Sequence, residues 1–132
     1  AGTPNIIEAI GLGAALRYID RVGRPAIAAH EEDLRAYAHE RLSRINRVKI
    51  FGTAPGKGAI VAFELEGAHA HDVATILDRY GVAVRAGTHC AQPLLRRLGV
   101  TSTCRASFGM YNTRAEVDQL ADALQKAHDF FA

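Results

Sequence analysis

Cys90 lies in the stretch Arg85-Ala86-Gly87-Thr88-His89-Cys90-Ala91-Gln92-Pro93. A cysteine is nucleophilic as its thiolate, the form favoured beside a cation or a helix N-terminus. This stretch offers both. Arg85 and His89 are the candidate cations, and Gln92-Pro93 suits a helix start whose first N–H groups are free. The apolar run Val82-Ala83-Val84, with Arg85 at its end, reads as a buried strand feeding the loop. The sequence thus expects a thiol on a glycine-containing loop between strand and helix, where a rigid scaffold tends to carry reactive groups. The other reading of a lone cysteine is a small buried hydrophobe. Residue type leaves both open.

Arg105 is the second chemical anchor. It sits inside Thr103-Cys104-Arg105-Ala106-Ser107-Phe108-Gly109, which reads as a strand. Alternation puts Arg105 and Ser107 on one face and Cys104, Ala106 and Phe108 on the other. A guanidinium there either forks onto a ligand carboxylate or pairs with a carboxylate of the chain. His69-Ala70-His71-Asp72 opens a predicted helix. Residues two apart on a helix point away from each other, so the expectation is two exposed imidazoles, with a partner contact through His71 and Asp72 as the alternative. A metal module built from His69, His71, His89 and Cys90 has poor ligand spacing.

The elements that must position these groups can be read in order. Thr3-Pro4 predicts a helix start with Thr3 as N-cap. The helix runs to about Val22, with Ile7, Ile10, Ala14, Ala15 and Ile19 inward, and Gly23 stops it. Pro25 opens a second helix with an apolar stripe of Ile27, Leu34, Ala38, Leu42 and Ile45. Val48–Phe51 and Ala59–Leu65 predict an antiparallel hairpin, the second strand so apolar that it belongs in the sheet centre. Gly56-Lys57-Gly58 between them lacks the spacing of a phosphate loop. A third helix spans Gly67 to Tyr80 and a short one Gln92 to Leu98. Thr113-x-x-Glu116 is a capping box opening the last helix. The order α-α-β-β-α-β-α-β-α predicts an α/β fold, a small sheet covered by helices.

Composition narrows the classes. A chain of 132 residues, 48% hydrophobic, suits one core. A net charge of +2 without a basic cluster interleaved with aromatics speaks against nucleic acid. No apolar run is long enough for a bilayer, so no membrane partner is expected. Two cysteines without CxxC spacing argue against a disulfide scaffold or a structural metal site. A reducing cytoplasm is the expected setting. The start Ala1-Gly2-Thr3-Pro4, lacking an initiator Met, suggests a piece of a longer protein.

R-x-G-x-H-C-A-Q-P resembles the active-site loop of cysteine desulfurases, the SufS-like (group II) branch of the class V aminotransferase family. C-R-A-S-x-x-x-Y-N-T, from Cys104 to Thr113, resembles the strand whose Arg holds the substrate carboxylate. A-G-T-P-N resembles the segment whose Thr contacts the cofactor phosphate of a neighbouring subunit. The resemblance covers the whole chain. It implies the small C-terminal domain of a fold type I transferase dependent on pyridoxal 5'-phosphate (PLP). On that basis residues 1–23 would be a helix from the end of the large PLP domain or between domains, and 24–132 the small domain.

The resemblance carries roles residue by residue. Cys90 would accept sulfur from L-cysteine as a persulfide, releasing alanine, with His89 tuning the thiol or shuttling a proton. Arg105 and Arg85 would bind substrate, and Thr3 and Gly2 the cofactor phosphate across a homodimer interface. A SufE- or SufU-type acceptor would take the sulfur for iron–sulfur cluster assembly. Thr88 departs from the pattern, since many relatives carry a second His there. None of Lys49, Lys57 and Lys126 has the Schiff-base context, so the fragment alone is expected to be inactive. The rival readings are a selenocysteine lyase or other class V enzyme, and a non-enzymatic sulfur carrier or docking module.

Overall fold

The computed structural model describes residues 2–132; Ala1, which opens both the A-G-T-P-N segment and the expected 1–23 unit, lies outside the described residues. The elements are α1 (Ile6–Val22), α2 (Arg24–Ser43), β1 (Val48–Phe51), β2 (Ile60–Leu65), α3 (Ala70–Arg79), β3 (Arg85–Gly87), α4 (Gln92–Leu98), β4 (Thr103–Ser107) and α5 (Arg114–Phe130). Their order is the expected one. The strands form one sheet, β1-β2-β4-β3, antiparallel throughout. The apolar β2 is interior, as its composition predicts.

Alternation gives the sheet two different faces. Val61, Phe63 and Leu65 of β2 and Cys104 and Ala106 of β4 are buried. They join Leu34, Ala38 and Leu42 of α2, Val73 and Leu77 of α3, and Val117, Leu120 and Leu124 of α5 in one core. Three helices therefore cover one face. Truncating a fully buried Leu in such a core costs about 2–5 kcal/mol. The last helix starts where the sequence places it: Thr113 Oγ1 accepts from Glu116 N–H, and the Glu116 carboxylate accepts from Thr113 N–H. Helices α2 and α5 are also tied by charge, with Arg114 on Asp33 and Arg41 2.8 Å from Asp118.

Three expectations are corrected. The strand before the Cys loop is Arg85–Gly87, not Val82–Arg85. Val82 N–H instead bonds Leu77 O at 3.1 Å, finishing the end of α3, so the chain joins the ladder only at Arg85. Thr3 is not the N-cap of α1. Asn5 is, with ψ 88° and no side-chain cap, and the first bond runs from Ala9 N–H to Asn5 O. The expected inward face of α1 is not buried. Ile7 is 83% exposed, Ile10 65%, and none of the helix is buried, because α1 packs mainly on α2 and lies off the sheet.

Candidate active site

The second sheet face carries the chemical groups. In the β3–β4 ladder Arg85 pairs with Arg105, Ala86 with Cys104, and Gly87 with Thr103. Ala86 and Cys104 point to the core, so Arg85 and Arg105 stand side by side on the opposite face. Like charges directly opposite on a sheet are unfavourable. Among the described residues no carboxylate lies within ion-pair distance of either guanidinium, whereas Arg24, Arg35, Arg41, Arg44 and Arg114 each have one. Arg105 Nε is buried without a hydrogen-bond partner. The alternative of a structural ion pair for Arg105 is thus not what the chain adopts. Two adjacent cations and an unspent buried donor suit a bound anion, and the planar fork of Arg suits a carboxylate.

Past Gly87 the chain turns sharply. His89 and Cys90 both take positive φ, 54° and 57°. Ala91 N–H closes the turn on Thr88 O at 2.9 Å. Such left-handed geometry costs a non-glycine residue about 1–2 kcal/mol. It lifts the Cys90 side chain into solvent. Arg85 Nη2 lies 4.0 Å from Cys90 Sγ, so the expected cation is in place. Cys90 directly precedes Ala91, the N-cap of the seven-residue α4.

The His89 ring turns toward β4. Its Nε2 is 3.0 Å from both Thr103 O and Thr103 Oγ1. A carbonyl oxygen only accepts, so Nε2 carries the hydrogen and donates. Nδ1 is buried with no partner. The ring is committed to β4 rather than presented to the thiol. Thr103, 1% exposed, is the sole buried polar side chain among the described residues. Nothing in the sequence singles it out as a site residue beyond its place on the Arg105 face of β4, one alternation step from the arginine.

Beside this loop is an open apolar cavity of about 300 Å³. Phe51, Ala62, Leu94, Leu95 and Leu98 form its walls, and His89 and Arg105 line it too. Cys104 behaves as core. Burial pushes its thiol up to about 12, and Sγ–H donates to Ala70 O at 3.2 Å. Tyr111, in the same motif, is exposed, and a hydrogen bond with Tyr18 of α1 raises its pKa.

Of the other candidates, His71 alone comes near the loop, its Nε2 3.8 Å from where a Cβ on Gly87 would stand. Gly2 and Thr3 are exposed ahead of α1, and no hydrogen bond among the described residues joins them to the Cys90 loop. The lysines are engaged elsewhere. Lys49 is 3.6 Å from Glu64, Lys126 lies over the Tyr80 ring, and Lys57 donates to Gly52 O and sits against His39. Burial, and then the Arg35 charge, lower the Lys57 pKa. The His69 and His71 rings stack, with centroids 5.4 Å apart, rather than diverging. His69 is the N-cap with extended ψ, so helical spacing does not govern the pair. Among the described residues no group of three His, Cys, Asp or Glu is placed to hold a metal ion. No helix is long and apolar enough to cross a membrane.

Comparison with known proteins gives one consistent result. The model of the family described as aminotransferase class-V matches residues 1–120. A protein of Xylella fastidiosa named "Probable cysteine desulfurase" is 53% identical over 126 residues, covering 96% of this chain and 30% of that relative. A Staphylococcus aureus protein of the same name is 50% identical over 133 residues, covering 100% of this chain and 32% of the relative. The crystal structure of the cysteine desulfurase CsdA (S-sulfonic acid) from Escherichia coli superposes with a TM-score of 0.93 at 39% identity, covering 100% of this chain and 33% of that one. The chain spans about a third of the length of these relatives.

Proposed function

The chain belongs to the class V aminotransferase family, and from that premise we propose that it is the C-terminal part of a SufS-like, PLP-dependent cysteine desulfurase. One observation carries the reading. An exposed Cys90 lies 4.0 Å from Arg85, and across the ladder stands Arg105, with no carboxylate among the described residues on either guanidinium. A nucleophilic thiol beside two arginines that no described carboxylate pairs matches a small thiol amino acid such as L-cysteine.

The residues divide the work. Arg105 holds the substrate carboxylate through its fork. Arg85 neutralises charge at the Cys90 sulfur. The Cys90 thiolate attacks the substrate sulfur, an S–S bond forms, and the substrate C–S bond breaks. With protons returned, Cys90–SH and L-cysteine give Cys90–S–SH and L-alanine, so no external oxidant is needed. An acceptor thiol on a protein of the SufE or SufU type then takes the outer sulfur for iron–sulfur cluster assembly.

The cofactor does not fit this chain alone. A Schiff base needs a free lysine at the site, and all three lysines are occupied by Glu64, by Gly52 and His39, or by Tyr80. The proposal places the PLP lysine in the rest of the protein, and Thr3 with Gly2 at the cofactor phosphate across a homodimer. Residues 1–23 then form a helix of, or leading from, the larger domain, and 24–132 the small domain. The largely uncovered α1 supports that division. Cytoplasmic reducing conditions would keep both cysteines as the free thiols seen here.

The test is peptide-level mass spectrometry of Cys90 in the full-length enzyme given PLP and L-cysteine. A one-sulfur adduct that disappears when PLP is withheld is the expected result. Sulfide release with Cys90 unmodified would instead mean a lyase that does not use this thiol. Neither adduct nor sulfide would leave a docking module.

A further inference from the structure

We propose that His89 is a positioning residue: its Nε2–H, clamped onto Thr103 O and Thr103 Oγ1, holds the Cys90 loop in the conformation that presents the thiol. The proposal rests on Cys90 being the sulfur acceptor, and it assigns His89 a role other than proton transfer.

Consecutive non-glycine residues at φ 54° and 57° form a loop that relaxes unless something fixes it. The loop's own backbone supplies one closing bond, Ala91 N–H to Thr88 O. The other fixture in view is the imidazole. Its two contacts, both 3.0 Å, end on the last residue of the β3–β4 ladder, the one paired with Gly87. The clamp therefore joins the first residue of the left-handed pair to a buried, immobile point of the sheet. The Thr103 side chain is 1% exposed, and a buried hydroxyl needs a partner. Without His89 it would have none here.

The same geometry argues against a proton carrier. The hydrogen on Nε2 points at a carbonyl that cannot take it. Nδ1 is buried and touches no donor or acceptor, Cys90 Sγ included. Arg85, not His89, is the group that reaches the sulfur.

The experiment compares His89→Ala and His89→Gln in the full-length enzyme. A Gln amide N–H can reach the position of Nε2 and donate to Thr103, but it does not ionise. Expected for His89→Ala is a roughly ten- to hundredfold fall in kcat, with KM for L-cysteine unchanged because Arg105 still binds the substrate. His89→Gln recovers most of the turnover and keeps the wild-type pH profile. In parallel, hydrogen exchange at the amides of residues 88–91 is faster in His89→Ala and near wild type in His89→Gln.

A Gln enzyme as slow as the Ala enzyme would overturn the proposal in favour of proton transfer. Wild-type turnover in His89→Ala would overturn it as well. If His89→Ala does not fold, the Gln enzyme decides alone: near-wild-type turnover supports the clamp and slow turnover refutes it. The exchange measurement needs no activity. Unchanged exchange in His89→Ala sinks the clamp whatever Cys90 does, whereas a wild-type enzyme that forms no persulfide sinks only the desulfurase reading.

Discussion

Replacing Arg105 by Gln should make the fold more stable while crippling the site. Three contributions set the sign. Gln lacks the buried Nε–H that has no partner, and leaving such a donor unsatisfied costs about 1–3 kcal/mol. Gln also removes one charge from the Arg85–Arg105 cross-strand pair, relieving about 0.2–1 kcal/mol. Against this, Gln loses one methylene, about 0.8 kcal/mol if fully buried and roughly half that for the half-buried Arg105. The contributions sum to a gain of about 1–3.5 kcal/mol, and each kcal/mol is worth roughly 3–5 °C in Tm for a chain of this size. The charge share should shrink in high salt, where the Debye length falls to about 3 Å.

The kinetic effect has the opposite sign. A hydrogen bond to a charged group contributes about 1.5–3 kcal/mol. Losing the fork should therefore lower kcat/KM for L-cysteine in the full-length enzyme by about ten- to a hundredfold. Chemical denaturation and steady-state kinetics measure the two effects separately. If R105Q is destabilised by more than about 1 kcal/mol, Arg105 serves an internal partner and does not hold a ligand carboxylate. If stability rises but turnover is unaffected, the anion held there is not the substrate.

Two further outcomes follow from the thiols and the surface charge. Iodoacetamide at pH 8 should alkylate Cys90 and leave Cys104 untouched, because burial holds the Cys104 thiol near 12; peptide mass mapping reads this directly, and equal labelling would refute the packing. The Arg114 hydrogen bond and charge hold the Asp33 pKa below its usual value, so the stability it contributes is fully present above the ordinary carboxylate pKa and is lost as pH falls through the lowered folded value. Asp33→Asn should thus flatten the acid limb of a stability-versus-pH curve between those two values, and an unchanged limb would mean the α2–α5 pair contributes nothing in solution.

Periodicity and cap chemistry determined much of this protein. The nine-element order, the Thr113–Glu116 cap, the central place of β2 and the division of β4 into a Cys104 face and an Arg105 face all follow from local rules of spacing. The Cys90 loop was legible because glycine, cation and thiol are neighbours in the chain. What lay outside reach depended on partners distant in sequence. The pairing of Arg85 with Arg105 is a matter of register, and register is set by the whole sheet. That Arg105 has no carboxylate partner among the described residues emerges only when the acidic side chains have a place. The turn of His89 onto Thr103, fourteen residues on, needs the loop and strand to meet in space. Helix α1 shows the limit from the other side. Its sequence carries an apolar face, but burial belongs to the surroundings, and among the described residues α2 is its main contact.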